Sequence, residues 1–154
     1  MPKALKTNKS IKGTLRLALL GLTLLLTACG QPVIAPVAVN PEDMCSMCRM
    51  AISEKQYAAE FITKDGEAMK FDDIGCLRDY LKAKVDRSQI AGYFVADYES
   101  KKWIKAESAH FVKSAEFATP MGGHLVAFQD EARAKAAAAN FNGQELGFAD
   151  LFEK

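Results

Sequence analysis

The chain of 154 residues lacks the side-chain sets that most enzymes need. It contains only two histidines, His110 and His124, and it has no Ser-His-Asp set, phosphate-binding glycine loop or carboxylate pair in a clear catalytic context. Asp72 and Asp73 are adjacent, so their side chains point to different sides, and a helix-capping role accounts for Asp73. We therefore expect a protein that is not an enzyme.

An apolar run long enough to span a membrane is also missing near the N-terminus. The run Leu17–Ala28 has 12 residues, whereas a spanning helix needs about 20. It follows a basic segment and precedes small residues, which is the pattern of a secretory signal. Residues 26–29, Leu-Thr-Ala-Cys, resemble a bacterial lipobox. That resemblance implies a signal peptide at 1–28, acylation of Cys29 and a chain held on a membrane, facing the periplasm or the cell exterior; an ordinary signal with a chance cysteine is the alternative.

Basic runs are absent from the remainder of the chain. Removing the signal takes away five basic residues and leaves 15 basic against 19 acidic residues, a net charge of −4. This charge argues against nucleic acid as a partner. Residues 29–41 contain three prolines and no charged residue, so we predict a lipid anchor followed by an extended tether.

Cysteines are few, and their number is odd once the lipidation site is set aside. If Cys29 is acylated, Cys45, Cys48 and Cys76 remain. Three cysteines outside the cytoplasm do not close into a complete disulfide framework. We expect Cys76, on a predicted helix, to be a small buried core residue.

Sulfur is concentrated in the segment Asp43–Met50, which holds two cysteines and three methionines but no histidine. A further methionine, Met121, follows a proline and precedes two glycines between predicted strands. That position favours an exposed loop sulfur. Thiolates and thioethers are soft ligands that suit Cu(I), whereas zinc prefers thiolate and imidazole. The composition therefore favours a copper site.

Three other interpretations of the same residues stay open. The three methionines of the segment, spaced three apart, would fill gaps in the core on one face of a helical turn. The two cysteines would form a disulfide or a redox pair. A zinc site would use four residues: Cys45, Cys48, His110 and His124.

An internal repeat predicts the fold. Phe71 and Asp73 recur as Phe128 and Asp130 at an offset of 57 residues. In each copy an aromatic residue closes a strand and an aspartate stands at the N-cap of a helix. We predict helices over 74–85 and 131–141.

Strands flank both predicted helices. A turn at Asp65-Gly66 joins two strands before the first helix, and two further strands are predicted within residues 92–106. Segments 109–114 and 124–129 form another strand pair, and residues 147–152 are the candidate for the last strand. The prediction is an α+β fold of two tandem strand–strand–helix–strand halves, 42–97 and 98–154, that pack together.

Three segments, taken in order behind the lipobox, resemble one known family. They are "CSMCRM", "KFDDIGCLRDYL" and "TPMGGHLVAF". Together they resemble NosL, the accessory lipoprotein family of nitrous-oxide reductase assembly, over about residues 45–130. The family motif Cys-x-x-Cys-Gly-Met has Arg49 here in place of its glycine.

The resemblance implies a fold of two strand–strand–helix–strand halves and a chaperone that binds Cu(I). It also implies delivery of the copper to nitrous-oxide reductase, for its copper–sulfide centre, with a membrane ABC-type assembly complex as docking partner. Carried over to this sequence, the ligands are first Cys48 and Met121, then Cys45 and Met50, and finally His124 and His110.

Overall fold

The computed structural model of the protein describes residues 34–83 and 85–153. The predicted signal peptide and the predicted lipidation site, Cys29, lie outside these ranges. Within them, no helix combines the length and the apolar character needed to cross a membrane.

The first half contains an antiparallel four-stranded sheet in the order β2-β1-β3-β4, with one helix against it. The turn between β1 and β2 contains Asp65 and Gly66, as predicted, and Gly66 has a φ of +91° that favours glycine. The elements are β1 (Ala59–Thr63), β2 (Ala68–Phe71), α1 (Ile74–Ala83), β3 (Ile90–Ala96) and β4 (Trp103–Lys105).

The second half repeats this order with a smaller sheet, β6-β5-β7. Its strands are antiparallel, and α2 follows β6 as α1 follows β2. The elements are β5 (His110–Lys113), β6 (Leu125–Phe128), α2 (Glu131–Asn140), β7 (Gln144–Leu146) and α3 (Phe148–Phe152). The predicted α+β fold with two strand–strand–helix–strand halves is confirmed.

The aspartate of each repeat caps its helix. The Asp73 carboxylate accepts a hydrogen bond from the Gly75 amide at 2.6 Å, and the Asp130 carboxylate accepts one from the Arg133 amide at 2.9 Å. Each carboxylate satisfies an amide that has no partner inside the helix, and this sets where the helix begins.

The prediction of a strand over residues 147–152 is wrong. The last strand, β7, precedes this segment, and Phe148–Phe152 is a short helix. Phe148, Leu151 and Phe152 repeat at the three- and four-residue spacing of a helix. The Gly147 amide donates to the Asp150 carboxylate at 3.0 Å, which closes the first turn.

One of two apolar clusters joins the two halves. Phe61 of β1 and Leu77 of α1 lie in one apolar cluster with Phe111 and Leu125 of the second sheet. The alternate residues of β5 and β6 face the other way, towards α2, where Val112 and Val126 pack with alanines. The alanines let α2 lie close to the strands.

Backbone contacts also link the two sheets. Asp97, directly after β3, forms a parallel bridge with Ala127 of β6, and its carboxylate accepts from the Gln129 amide at 2.8 Å. Strand β4, although it lies in the sequence range of the second half, pairs with β3.

The described part of the predicted tether contacts the first sheet. The Val37 amide donates to a Glu60 carboxylate oxygen at 2.7 Å, and the Lys70 ammonium donates to the Ala38 carbonyl at 2.7 Å. Val39 is buried in the core. The chain therefore begins to pack against the domain before residue 40.

Candidate metal centre

The cysteine-methionine segment forms a tight loop before β1. Met44 pairs with Ala51, and the Cys45 amide donates to the Met50 carbonyl at 2.8 Å. Arg49 adopts a φ of 67°, the left-handed region that favours glycine. The arginine thus makes the turn for which the related family motif uses glycine.

Three cysteines and one aspartate meet under this loop. The Sγ atoms of Cys45, Cys48 and Cys76 and a carboxylate oxygen of Asp72 all lie within 4.8 Å of one another. The loop supplies the first two, the first turn of α1 supplies Cys76, and Asp72 stands between β2 and α1. We call these four residues the thiol cluster.

Hydrogen bonds hold the loop and the cluster in place. The Ser46 amide donates to the carbonyl of Lys70 in β2 at 2.8 Å, which fixes the loop to the strand. The Cys48 thiol donates to Asp72 Oδ2 at 3.3 Å, and the Cys48 amide points at Cys45 Sγ at 3.5 Å. The other oxygen of Asp72 is buried and has no hydrogen-bond partner.

The three thiols differ in acidity because they share one buried environment. The Cys76 thiol hydrogen-bonds to the Cys45 sulfur and lowers the pKa of Cys45 to about 6. Burial raises the pKa of Cys48 to about 11. The bond to Cys45 also raises the pKa of Cys76, because that thiol must keep its proton to donate it. Of the three thiols, Cys45 is therefore the one whose ionisation the surroundings favour.

Met121, in the second half of the chain, is bound through its backbone to the start of α1. Its backbone amide donates to Asp73 Oδ2 at 3.2 Å, so the carboxylate that caps α1 also holds the Met121 loop. Gly123 is required for this approach, since a Cβ at that position would lie 2.4 Å from Asp73 Oδ1.

A cavity of about 380 Å³ lies where this loop meets α1. Its walls include four sulfur side chains, those of Met47, Cys48, Cys76 and Met121. Met47 and Met121 are 41% and 45% exposed, so their thioethers lie at the rim. Cys45 is fully buried and does not border the cavity.

The methionines of the loop are not core residues. Met44 and Met50 are more exposed than Met47, so the gap-filling interpretation is wrong for all three. The exposed sulfur predicted for Met121 is confirmed.

The histidines lie apart from the thiol cluster. His124 follows the Met121 loop, where its Nδ1 bonds the Phe117 carbonyl at 2.8 Å and its Nε2 lies 3.9 Å from the position of a Cβ on Gly122. His110 begins β5, whereas the far end of that strand is the one beside His124. Neither histidine borders the cavity or belongs to the thiol cluster of the described residues.

Sequence reasoning missed two members of the cluster. Cys76 is buried, as expected for a core residue, but its sulfur also faces the other cysteines. Sequence reasoning assigned a helix-capping role to Asp73 and no role to Asp72. The spacing gave no clear signal, because Asp72 precedes the helix that carries Cys76.

These features define an α+β domain with a cluster of thiols suited to a soft metal ion. The chain belongs to the NosL family, whose family model matches residues 36–154. The copper-binding lipoprotein NosL of Stutzerimonas stutzeri is 28% identical over 139 residues, which cover 82% of this chain and 73% of the relative. The crystal structure of the copper chaperone NosL from Shewanella denitrificans has the same fold, with a TM-score of 0.69 and 21% identity over 77% of this chain and 96% of that one.

Proposed function

We propose that the protein is a membrane-anchored copper chaperone that binds Cu(I) as cargo and turns over no substrate. The thiol cluster provides soft ligands, which suit the monovalent ion. One relative is named a copper-binding lipoprotein and one solved structure a copper chaperone, and both support this assignment.

The arrangement of Cys48 and Met121 carries the proposal. These residues are 73 positions apart in the chain, yet both border the same cavity. Cys48 is half-buried, and Met121 stands at the rim. A thioether at the rim and a thiol behind it allow an incoming ligand to reach the ion before the original ligands leave. Easy exchange of this kind is what transfer of cargo requires.

The remaining elements of the proposal concern anchoring and partners. Acylation of Cys29 holds the chain at the periplasmic face of a bacterial membrane, in line with the relative that is named a lipoprotein. The recipient is nitrous-oxide reductase, for its copper–sulfide centre, and a membrane ABC-type complex is the docking partner. Met44, Met47 and Met50 are exposed on the loop, and Met47 borders the cavity, so they offer thioethers to such a partner.

The geometry disfavours the two other functions considered from the sequence. In a thiol–disulfide enzyme one thiol must attack a substrate disulfide as an accessible thiolate. Here Cys45 is fully buried, and the pKa of Cys48 is raised to about 11 by burial. A zinc site of two cysteines and two histidines would need His110 and His124 beside the cluster, and neither is there.

Anaerobic titration of the chain with Cu(I) against a competing chelator, read by native mass spectrometry, tests the proposal. We expect one tightly bound copper per chain or per dimer. Met121→Leu should weaken Cu(I) binding sharply, while Met69→Leu, the same change on β2, should leave it unaltered. Zinc retained through purification without any copper uptake would contradict the proposal.

A further inference from the structure

Cys76 lies in the first turn of α1, whereas Cys45 and Cys48 lie in the loop before β1. We propose that Cys76 is a further thiolate ligand of the copper, so that the ion is held between the loop and the first turn of α1. The inference rests on the proposed function, because the cargo is taken to be Cu(I). It adds a ligand that neither the loop motif nor Met121 supplies.

The distances within the cluster suit one ion. Metal–sulfur bonds of about 2.3 Å place two sulfurs of a shared ion about 3.8 Å apart at a tetrahedral angle and about 4.6 Å apart on opposite sides. The ligand atoms of Cys45, Cys48, Cys76 and Asp72 lie within 4.8 Å of one another. The cluster therefore has about the size that the ligands of one ion require.

Access separates Cys76 from an ordinary core cysteine. Its side chain borders the cavity together with Cys48 and Met121. Cys45 is fully buried and does not border this cavity. An ion in this cavity can therefore reach both Cys48 and Cys76.

Asp72 gives an independent indication that a ligand belongs at this place. It is only 2% exposed, and Oδ1 is buried without a hydrogen-bond partner. A buried polar atom of this kind costs free energy unless something occupies the space beside it. Oδ2 accepts from the Cys48 thiol at 3.3 Å and so orients that sulfur towards the cluster. A metal ion among the sulfurs would give Oδ1 a partner.

The position of Cys76 in α1 makes it a rigid ligand. It is the third residue of the helix, so the regular backbone of the first turn fixes the position of its Cβ. The Ser46–Lys70 backbone bond fixes the opposing loop to β2. The copper would therefore bridge two elements that the fold already holds at the right separation.

The test compares Cu(I) binding by the full-length chain in detergent with that of Cys76→Ser. Affinity is measured by anaerobic chelator competition, and the number of sulfur neighbours by X-ray absorption at the copper edge. We expect Cys76→Ser to lose one sulfur neighbour and at least about tenfold in affinity, since even residues that only support metal ligands cost about 10- to 100-fold when changed. Leu81→Val, a change of a buried residue further along α1, should alter neither quantity.

A folded Cys76→Ser that keeps its affinity and its sulfur count overturns the inference. The proposed function then still stands, provided that Met121→Leu weakens binding. If the unsubstituted chain fails to bind Cu(I), the proposed function falls as well. If Cys76→Ser does not fold, the ¹³Cβ chemical shift of Cys76 in the unsubstituted chain is used instead to test whether its sulfur binds copper. A shift on adding Cu(I) supports ligation, and an unchanged resonance in a copper-loaded chain contradicts it.

Discussion

The carboxylate of Asp73 connects the two halves of the protein through Met121. One oxygen accepts the Gly75 amide at 2.6 Å and caps α1, and the other accepts the Met121 amide at 3.2 Å. The residue that starts the helix carrying Cys76 thus also places the thioether of the second half. Stability and metal binding are expected to depend on the same side chain.

Asp73→Ala should lower both the free energy of unfolding and the Cu(I) affinity. Losing the cap costs about 1 kcal/mol, and leaving the Met121 amide unpaired costs about 1–3 kcal/mol more. Asp130→Ala, the equivalent cap of α2, should cost about 1 kcal/mol and leave Cu(I) affinity unchanged. Urea unfolding and chelator competition measure the two quantities. Equal losses of affinity in both variants would show that Asp73 does not position Met121.

Gly123→Ala should displace the Met121 loop from α1. The new Cβ would lie 2.4 Å from Asp73 Oδ1, so the loop and the carboxylate have to separate. We expect a loss of about 1–3 kcal/mol in unfolding free energy together with weaker Cu(I) binding. In the control variant Gly147→Ala the nearest atom is 3.7 Å away, and Cu(I) binding should not change. Undiminished copper binding in Gly123→Ala would rule out the close approach as a requirement.

Arg49→Gly should stabilise the cysteine-methionine loop. Arg49 has a φ of 67°, and this conformation costs a residue with a side chain about 1–2 kcal/mol. We expect the free energy of unfolding to rise by about 1 kcal/mol. Lys105→Gly, at a φ of −67°, should lower it by about 0.5–1 kcal/mol instead. Thermal or urea unfolding compares the variants, and a destabilised Arg49→Gly would mean that the arginine side chain makes a contribution of its own.

Cu(I) affinity should rise with pH between about 6 and 9. A thiol must lose its proton to bind the ion, and the pKa of Cys48 is raised to about 11 by burial, so it keeps its proton throughout this range. Binding therefore displaces a proton, and lower proton concentration favours it. Chelator competition at several pH values measures the slope, which should decrease in Cys48→Ser. A flat response in the unsubstituted chain would argue against cysteine ligation.

Glu60 should make the protein less stable as the pH rises from about 4.5 to 7. Burial raises the pKa of Glu60 to about 7 from its ordinary value of 4.5. The folded state thus holds the proton more tightly than the unfolded state, and the stability this provides below pH 4.5 is lost as the pH rises through 7. The loss amounts to about 3 kcal/mol.

Comparison with Glu60→Gln isolates this effect. The amide does not ionise, so the difference in unfolding free energy between the two proteins should change across that pH range. The pKa of nearby Asp43 is lowered by its hydrogen bond to Lys70, so its contribution changes below pH 4 and lies outside the range. Glu67→Gln, at an exposed position, is the control. A pH-independent difference for Glu60→Gln would exclude an ionising Glu60.

Local features of the sequence predicted the helices well. The predicted first residues, 74 and 131, agree with the structure because an aspartate N-cap acts within one turn. The prediction of the last strand was wrong because its position does not depend on a local signal. Whether Gln144–Leu146 or the following segment pairs with β5 depends on contacts across the sheet, and edge pairing leaves little trace in so short a stretch.

The sequence by itself determined two things: which sulfur side chains of the kind that soft metals prefer are present, and the repeat that brings an aspartate to the start of each helix. Only the tertiary structure decided which sulfurs meet. Cys76 joins Cys45 and Cys48 because α1 packs beneath their loop, and Met121 joins the same cavity because both halves share one core and one carboxylate. Contacts of this kind depend on packing between segments that are distant in the sequence, and no local pattern predicts them.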